Sequence, residues 1–159
     1  RRHGRRGRGR GSGCRGLLAG RRVRILASDI SQAQLSRARA ACYDAYAVSR
    51  LSDEERRRHF MHQAGQYRLK EEYRRAVEFF FHNLQGPLAR GPIDCVILRN
   101  VLMYFDEPMR QLALQNVCAS LRPGGLLIVG DVDPLRSRFD WMEQLGVRCL
   151  RTWAYEKID

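Results

Sequence analysis

The sequence predicts an α/β fold built on a parallel-type sheet. In the run from Ile93 to Leu98, Cys-Val-Ile-Leu is continuously apolar, which predicts a strand buried on both faces. Other short apolar runs alternate with helical patterns, as is typical of parallel strands joined by helices. Polar residues directly follow several of these runs, at the edge where open α/β sheets bind ligands. The chain has 159 residues, enough for one domain with a core.

Each predicted element has a local signal. Ser52-Asp53-Glu54-Glu55 forms a capping box, and Asp106 with Pro108 makes a helix start. Arg122-Pro123-Gly124-Gly125 stops the helix that Asp106 opens. In chain order we predict strand 23–27, helix 32–41, helix 52 to about 62, polar break 63–66, strand 67–70, short helix 71–76, strand 77–82, the strand from 93, helix 106–121, strand 126–130 and one edge or antiparallel strand over 147–156.

The net charge of +12 is concentrated at the start of the chain. Residues 1–24 contain ten arginines and no acid, which leaves 19 basic against 17 acidic residues afterwards. Residues 1–22 form an Arg/Gly segment with too few apolar side chains to offset the entropy of ordering, so we expect disorder there. The segment could bind RNA or acidic membrane through phosphate charge, but a solvated tail is the simpler interpretation. A nucleic-acid partner is therefore not expected.

Other motifs point away from metals and membranes. The formal GxGxxG from Gly11 to Gly16 follows no strand, so we interpret it as chance in a Gly-rich tract. No apolar run approaches the roughly 20 residues that cross a bilayer. The histidines do not show ligand spacing, and the cysteines form no CxxC pair, so neither a metal site nor a disulfide framework is predicted. A reducing cytoplasm fits the cysteines best: Cys14, Cys42, Cys95, Cys118 and Cys149.

Three strand ends carry polar residues in an order that favours a ligand site. Asp29 follows the first strand, Asn83 follows the strand over 77–82, and Arg99-Asn100 follows the strand from 93. Taken alone, each would be interpreted as a loop residue that caps a helix or faces solvent. A carboxylate can accept from two hydroxyls of a ligand, and an amide can both donate and accept, so these side chains suit a polar ligand.

Five segments, taken together, closely resemble the CheR-type chemotaxis-receptor glutamate methyltransferases, which have a Rossmann-like fold and use S-adenosylmethionine. The resemblance covers residues 21–130 and implies the same fold class, an S-adenosylmethionine-dependent methyltransferase sheet with a small inserted subdomain near residues 60–79. The matching segments are Ile25 to Ser31, Tyr67 to Lys70, His82 to Leu84, Arg99 to Asp106 and Leu121 to Gly125.

The resemblance implies a cofactor, a partner and six site residues. The partner is the cytoplasmic domain of a chemotaxis receptor, whose glutamates are esterified. A glutamate carboxylate, with a reference pKa of about 4.3, is already the nucleophile, so no general base is required. The loop over 62–66 is short, so we do not expect tethered peptide binding. The resemblance implies that Asp29 binds the ribose and that Asn83 and Leu84 contact the adenine. It also implies that Arg99 and Asn100 line the floor of the site near the methionine part, and that Tyr104 faces the transferable methyl group.

Some family features have no counterpart in this sequence. The first strand with its glycine loop and the helical N-terminal domain have no match, and Gly130-Asp131-Val132-Asp133 stands where the family commonly has Gly-His-Ser-Glu. We therefore expect a sheet that is incomplete at its N-terminus and has unpaired strand edges. The alternative to an enzyme is a catalytically inactive, methyltransferase-like binding or regulatory module.

Overall fold

The computed structural model describes residues 23–130 and 139–158. The chain divides into two units, one that ends at Phe80 and one that begins at Phe81. Residues 1–22, including the Gly11 to Gly16 motif, and residues 131–133 lie outside the described part of the chain. The predictions made for those residues stay predictions.

The first unit contains two small sheets. Strand order is β1-β5 in one sheet and β2-β4-β3 in the other, and the second sheet is antiparallel. The capping box at Ser52 is confirmed. The elements are β1 (Ile25–Asp29), α1 (Gln32–Ala40), β2 (Cys42–Tyr43), α2 (Asp53–His59), β3 (Phe60–Gln63), β4 (Gln66–Leu69), α3 (Glu71–Arg74) and β5 (Val77–Phe81), which crosses the boundary between the units.

The helices of the first unit are shorter than predicted, α2 most of all. Helix α2 ends at His59 rather than near His62, because Phe60 is extended and begins β3. Strands β3 and β4 pair Gln63 with Gln66 around a two-residue turn. Both turn residues, Ala64 and Gly65, have positive φ, the combination that matches the twist of a tight hairpin. Residues 60–62, which were predicted to be helical, therefore belong to this hairpin instead.

The described strands of the second unit form one mixed sheet with the order β6-β7-β9-β8. The predicted parallel pairing is found between β6 and β7, whereas β9 is antiparallel to both of its neighbours. Between β6 and α4, a 3₁₀ turn spans Leu102–Tyr104. The elements are β6 (Ile93–Leu98), α4 (Glu107–Ser120), β7 (Leu121–Val129), α5 (Phe139–Gln144), β8 (Val147–Arg151) and β9 (Ala154–Lys157).

The tail forms two strands where the sequence predicted one. Strands β8 and β9 form a hairpin, and β9 lies between β7 and β8. Folding back in this way buries Val147, Ala154 and Tyr155. The sequence predicted a single edge strand, which would have only one neighbour in the sheet. The burial of these three side chains favours the hairpin over that arrangement.

Strand β6 is not buried on both faces, contrary to the prediction. Ile97 is 68% exposed, Cys95 is exposed, and Leu98 is the one buried residue of this strand. Side chains alternate between the two faces of a strand, so Val96 and Leu98 pack on the core on one face, while Cys95 and Ile97 are exposed on the other. Among the described strands β6 pairs with β7 alone, and the expectation of unpaired strand edges stays a prediction.

The predicted stop after α4 is confirmed, and glycine is required there. Helix α4 ends at Ser120, and the pairing between β6 and β7 shifts register across the following residues. A Cβ on Gly125 would lie 2.8 Å from the carbonyl oxygen of Arg122 and 3.1 Å from that of Ile93. No side chain fits at Gly125, because both neighbours are backbone atoms.

The apolar core of the second unit lies between α4 and the sheet. Leu114 and Leu127 are fully buried in it, and Leu84, Val101 and Phe105 pack against it from the loops that follow β5 and β6. In the described part of the chain, no helix is both long enough and apolar enough to span a membrane.

Candidate functional site

Asp29 lies at the end of β1 in the first unit and is exposed. One carboxylate oxygen, Oδ1, accepts a hydrogen bond of 2.7 Å from the backbone N–H of Ser31. Ser31 in turn caps α1 by accepting from the backbone N–H of Gln34. This turn fixes the orientation of the carboxylate, and within the described residues Oδ2 accepts no hydrogen bond. Asp29 thus stabilises the turn with one carboxylate oxygen and keeps the other as a hydrogen-bond acceptor for a ligand.

Asn83 and Leu84 follow β5 and are half-buried. Asn83 Oδ1 accepts from the backbone N–H of Gln85 at 3.1 Å, which leaves the amide nitrogen without a partner among the described residues. The carbonyl oxygen of Leu84 accepts from Asn116 Nδ2 at 3.0 Å, and its side chain packs on the core. The Asn83 amide therefore keeps a donor for a ligand on a backbone that α4 holds in place.

Arg99 and Asn100 follow β6 and are exposed. Asn100 has a φ of +58°, in the left-handed region that non-glycine residues seldom adopt and that asparagine tolerates best. At this residue the chain leaves the line of the strand and turns into the 3₁₀ segment. Backbone in sparsely populated regions clusters at functional sites, which is consistent with the predicted role of this loop.

Tyr104 ends the 3₁₀ turn and is 77% exposed. Its backbone N–H donates to the carbonyl of Val101 at 3.1 Å, so its position is set by the backbone. Val101, Leu102 and Phe105 contact the core of the second unit, while Tyr104 stays in solvent. The exposed ring and hydroxyl are accessible to an incoming ligand.

The structure anchors two of the predicted loops on one core. Leu84, in the loop after β5, and Val101 with Phe105, in the loop after β6, pack on the same buried cluster in the second unit. Five of the six predicted residues (Asn83, Leu84, Arg99, Asn100 and Tyr104) belong to this unit, and Asp29 belongs to the first.

Two residues that the sequence reasoning missed hold these loops. Arg110 is half-buried and donates to the carbonyls of Leu102 at 3.3 Å and Phe105 at 2.7 Å. Its Nη1 also bonds Glu107 at 2.9 Å. Asn116, the second residue, donates to Leu84 as described above. A polar residue on the apolar side of a helix was the available signal in both cases, because a buried polar group needs a partner.

The described titratable groups include no assembled metal cluster. Across residues 23–130 and 139–158, no three His, Cys, Asp or Glu side chains are grouped so that they could hold a metal ion. Burial lowers the pKa of His82, which follows β5. Burial and the charge of Asp94 raise the pKa of the Cys95 thiol. These shifts favour the uncharged forms of both groups near neutral pH.

Comparison with known proteins identifies the family. Residues 17–150 match the model of the CheR methyltransferase, SAM binding domain. A chemotaxis protein methyltransferase of Vibrio parahaemolyticus is 39% identical over 130 residues, covering 80% of this chain and 46% of the relative. A chemotaxis protein methyltransferase of Listeria innocua is 32% identical over 133 residues, covering 84% and 49%. The chain thus spans about half the length of these curated relatives.

A solved structure gives a weaker similarity. N-methyltransferase NodS from Bradyrhizobium japonicum, in complex with S-adenosylhomocysteine, is 16% identical with a TM-score of 0.41, covering 67% of this chain and 40% of that one. The family assignment rests on the sequence matches instead. The alternating helices and strands of the structure confirm the predicted α/β fold class, and the family match confirms the predicted cofactor. The chain belongs to the CheR methyltransferase SAM-binding domain family, whose cofactor is S-adenosylmethionine.

Proposed function

We propose that this chain carries out the methylation of glutamate side chains on the cytoplasmic domain of chemotaxis receptors. The observation that supports this most is the family match over residues 17–150, together with relatives named chemotaxis protein methyltransferases. Because the chain spans only part of those relatives, the activity and the receptor partner belong to the proposal.

The residues present fit S-adenosylmethionine. Asp29 has a carboxylate oxygen without a partner in the described structure, suited to the ribose hydroxyls. The amide nitrogen of Asn83 likewise has no hydrogen-bond partner in the described structure, and it is suited to donate to an acceptor on the adenine edge. We assign Leu84 to the apolar contact with adenine, and Arg99 with Asn100 to the floor near the methionine part.

The transfer requires positioning more than proton chemistry. When bound, S-adenosylmethionine supplies a methyl group made electrophilic by its sulfonium. It would give this methyl group to one oxygen of the glutamate carboxylate and leave as an uncharged thioether. No proton moves, so this chain needs no base. Tyr104 would orient the carboxylate through its hydroxyl and exclude water with its ring.

The assay measures methyl transfer and the role of Tyr104 together. Purified protein, labelled S-adenosylmethionine and receptor cytoplasmic fragments should give base-labile methyl esters. Tyr104→Phe should keep cofactor affinity and lower kcat, because orienting the acceptor stabilises the transition state more than the bound cofactor.

Tyr46→Phe is the matched control, since Tyr46 is 88% exposed and has no assigned role. Base-stable label on a small molecule would move the assignment to another methyltransferase. Unchanged kcat in Tyr104→Phe would remove the hydroxyl from the reaction, and lost cofactor affinity would place Tyr104 in the cofactor pocket.

A second candidate is an inactive binding module that keeps the fold, and it is favoured by the lack of a counterpart to the family's glycine loop in the sequence. Calorimetry with S-adenosylhomocysteine separates the two candidates. Micromolar binding excludes the inactive module, and no heat at millimolar ligand excludes the enzyme for this chain.

In the same experiment Asp29→Ala should weaken binding by about 1–3 kcal/mol, because ribose hydroxyls lose their acceptor. Asp44→Ala is the control: Asp44 Oδ1 also accepts from a nearby backbone N–H, that of Ala47 at 2.8 Å, but Asp44 lies outside the site. Equal affinity in Asp29→Ala and the parent protein would exclude the ribose role.

A further inference from the structure

An arginine-lined cleft lies within the first unit, and its lining includes none of the residues assigned to the cofactor. Its volume is about 250 Å³. Three arginines contribute to its walls, together with one carboxylate and two half-buried apolar side chains. The lining residues are Arg39, Glu71, Arg74, Arg75, Val77 and Phe79.

Two of the arginines are held in place by backbone carbonyls. Arg39 Nη2 donates to the carbonyl of Phe79 at 3.0 Å, and Arg74 Nη2 donates to the carbonyl of Arg39 at 3.0 Å. Arg74 Nη1 bonds Glu71 at 2.6 Å. Guanidinium groups fixed in this way lose little further freedom when they bind a carboxylate.

The cleft carries more positive than negative charge. Glu71 is the one carboxylate in its lining, and it serves both Arg74 and Arg75, the latter at 3.0 Å. Arg39 has no carboxylate partner within the described residues. Hydrogen bonding from Arg75, followed by the charge of Arg74, holds the pKa of Glu71 below its ordinary value, so Glu71 is ionised at neutral pH. Three guanidinium groups against one carboxylate leave two positive charges for a ligand.

A purely structural role explains Arg39 and Arg74 but not Arg75. The first two tie α1, α3 and β5 together through carbonyl bonds. Arg75 is 79% exposed, and its only side-chain hydrogen bond within the described structure is the one from Nε to Glu71. Both of its Nη groups therefore remain available as a planar pair of donors, the geometry that suits a carboxylate.

We propose that this cleft binds a glutamate or aspartate side chain of an acidic protein segment, with Arg75 and Arg39 contacting the carboxylate and Val77 and Phe79 contacting apolar atoms beside it. The apolar walls favour a peptide over a bare inorganic anion, because they would contact methylene groups that such an anion lacks. This inference deepens the proposed function and rests on it in one respect: a glutamate-bearing protein is the natural source of such a segment.

The test is an NMR titration of the full ¹⁵N-labelled chain, without cofactor, followed at the arginine Nε–H resonances. The probe is a synthetic peptide of paired Glu and Leu residues, with a Gln-for-Glu peptide as its control. Resonances of Arg39 and Arg75 should shift with a single Kd for the Glu peptide and stay in place for the Gln peptide. A site-resolved signal is needed because the arginines of residues 1–22 also attract acidic peptides.

Matched variants separate a site from general attraction. Arg75→Gln should weaken the Kd reported by Arg39 about fivefold, and Arg37→Gln, with the same charge change on the exposed side of α1, should weaken it less than twofold. Thermal melts show that each variant is folded.

Three outcomes would overturn the inference: shifts confined to the arginines of residues 1–22, equal weakening by both variants, or saturation by inorganic phosphate with no response to the Glu peptide. Binding here without methyl transfer would leave the inference intact while the proposed function failed. Methyl transfer without binding in this cleft would support the proposed function and overturn the inference.

Discussion

Cys118 shows how a single side chain couples burial to protonation. Its thiol is 1% exposed in the core of the second unit, and burial raises its pKa from 9.0 to about 11, against a smaller opposing effect of Lys157. The thiol is therefore a small apolar group at neutral pH and an unreactive one. Cys42 and Cys149 are exposed, so the reactivity of a cysteine in this chain depends on its place in the fold.

The raised pKa of Cys118 predicts a loss of stability in alkali. The folded state holds the thiol proton more tightly than the unfolded state, so the contribution is complete below pH 9 and is lost as pH rises toward 11. The unfolding free energy of the parent protein should fall by about 2–3 kcal/mol more than that of Cys118→Ala over this range. Urea titrations at several pH values measure it, with Cys42→Ala as the control. Parallel pH profiles for the parent and Cys118→Ala would contradict the prediction.

At the scale of elements, the loop between β6 and α4 is held from the helix side. Its 3₁₀ turn has its own backbone bonds, but the half-buried Arg110, in the first turns of α4, also donates to two of the loop carbonyls. The Asp106 side chain caps the same helix by accepting from the backbone N–H of Met109 at 3.0 Å. The helix start and the loop that carries Tyr104 therefore form one local structure.

Arg110→Gln should loosen this loop. Removing the guanidinium takes a donor from the carbonyls of Leu102 and Phe105, and we expect a cost of about 1–3 kcal/mol. Hydrogen exchange at the amides of Tyr104 and Phe105 should accelerate more than exchange in β7. Arg122→Gln is the control, because its ion pair with Asp94 is exposed and costs less than about 1 kcal/mol to remove. Uniform acceleration across the unit would indicate global destabilisation instead.

At the scale of the whole molecule, the described strands belong to three sheets. Strands β1 and β5 pair only with each other among the described strands, and β6 pairs only with β7. Exposed apolar side chains lie on the strands at these edges, Ile25 on β1 and Ile97 on β6. An apolar edge with unpaired backbone groups is a template for further strand pairing.

The open edge of β6 predicts self-association. Sedimentation over about a hundredfold range of concentration should show larger species as concentration rises. Ile97→Lys should reduce this association, because a charged side chain on an edge strand disfavours pairing. Leu112→Lys, on the exposed side of α4, is the matched control and should change little. A parent protein that stays monomeric throughout would show that the edge is protected.

The sequence by itself determined the local elements and the family. The capping box at Ser52, the helix start at Asp106 and the stop before Gly125 depend on nearby residues, so each could be predicted from local chemistry. The same holds for Asp29, Asn83 and Asn100, since a polar residue after an apolar run marks the end of a strand. Their roles in cofactor binding stay predictions.

The tertiary structure alone decided which strands have neighbours. The apolar run of β6 predicted burial on both faces, but only the face with Val96 and Leu98 packs on the core, and Ile97 on the opposite face is exposed. Residues 147–156 predicted one strand, whereas β9 lies between β7 and β8 and buries Tyr155. The place of Arg110 on the apolar side of α4 was visible in the sequence, but its carbonyl partners were not. Burial and pairing depend on contacts between residues distant in sequence, and a local pattern does not contain them.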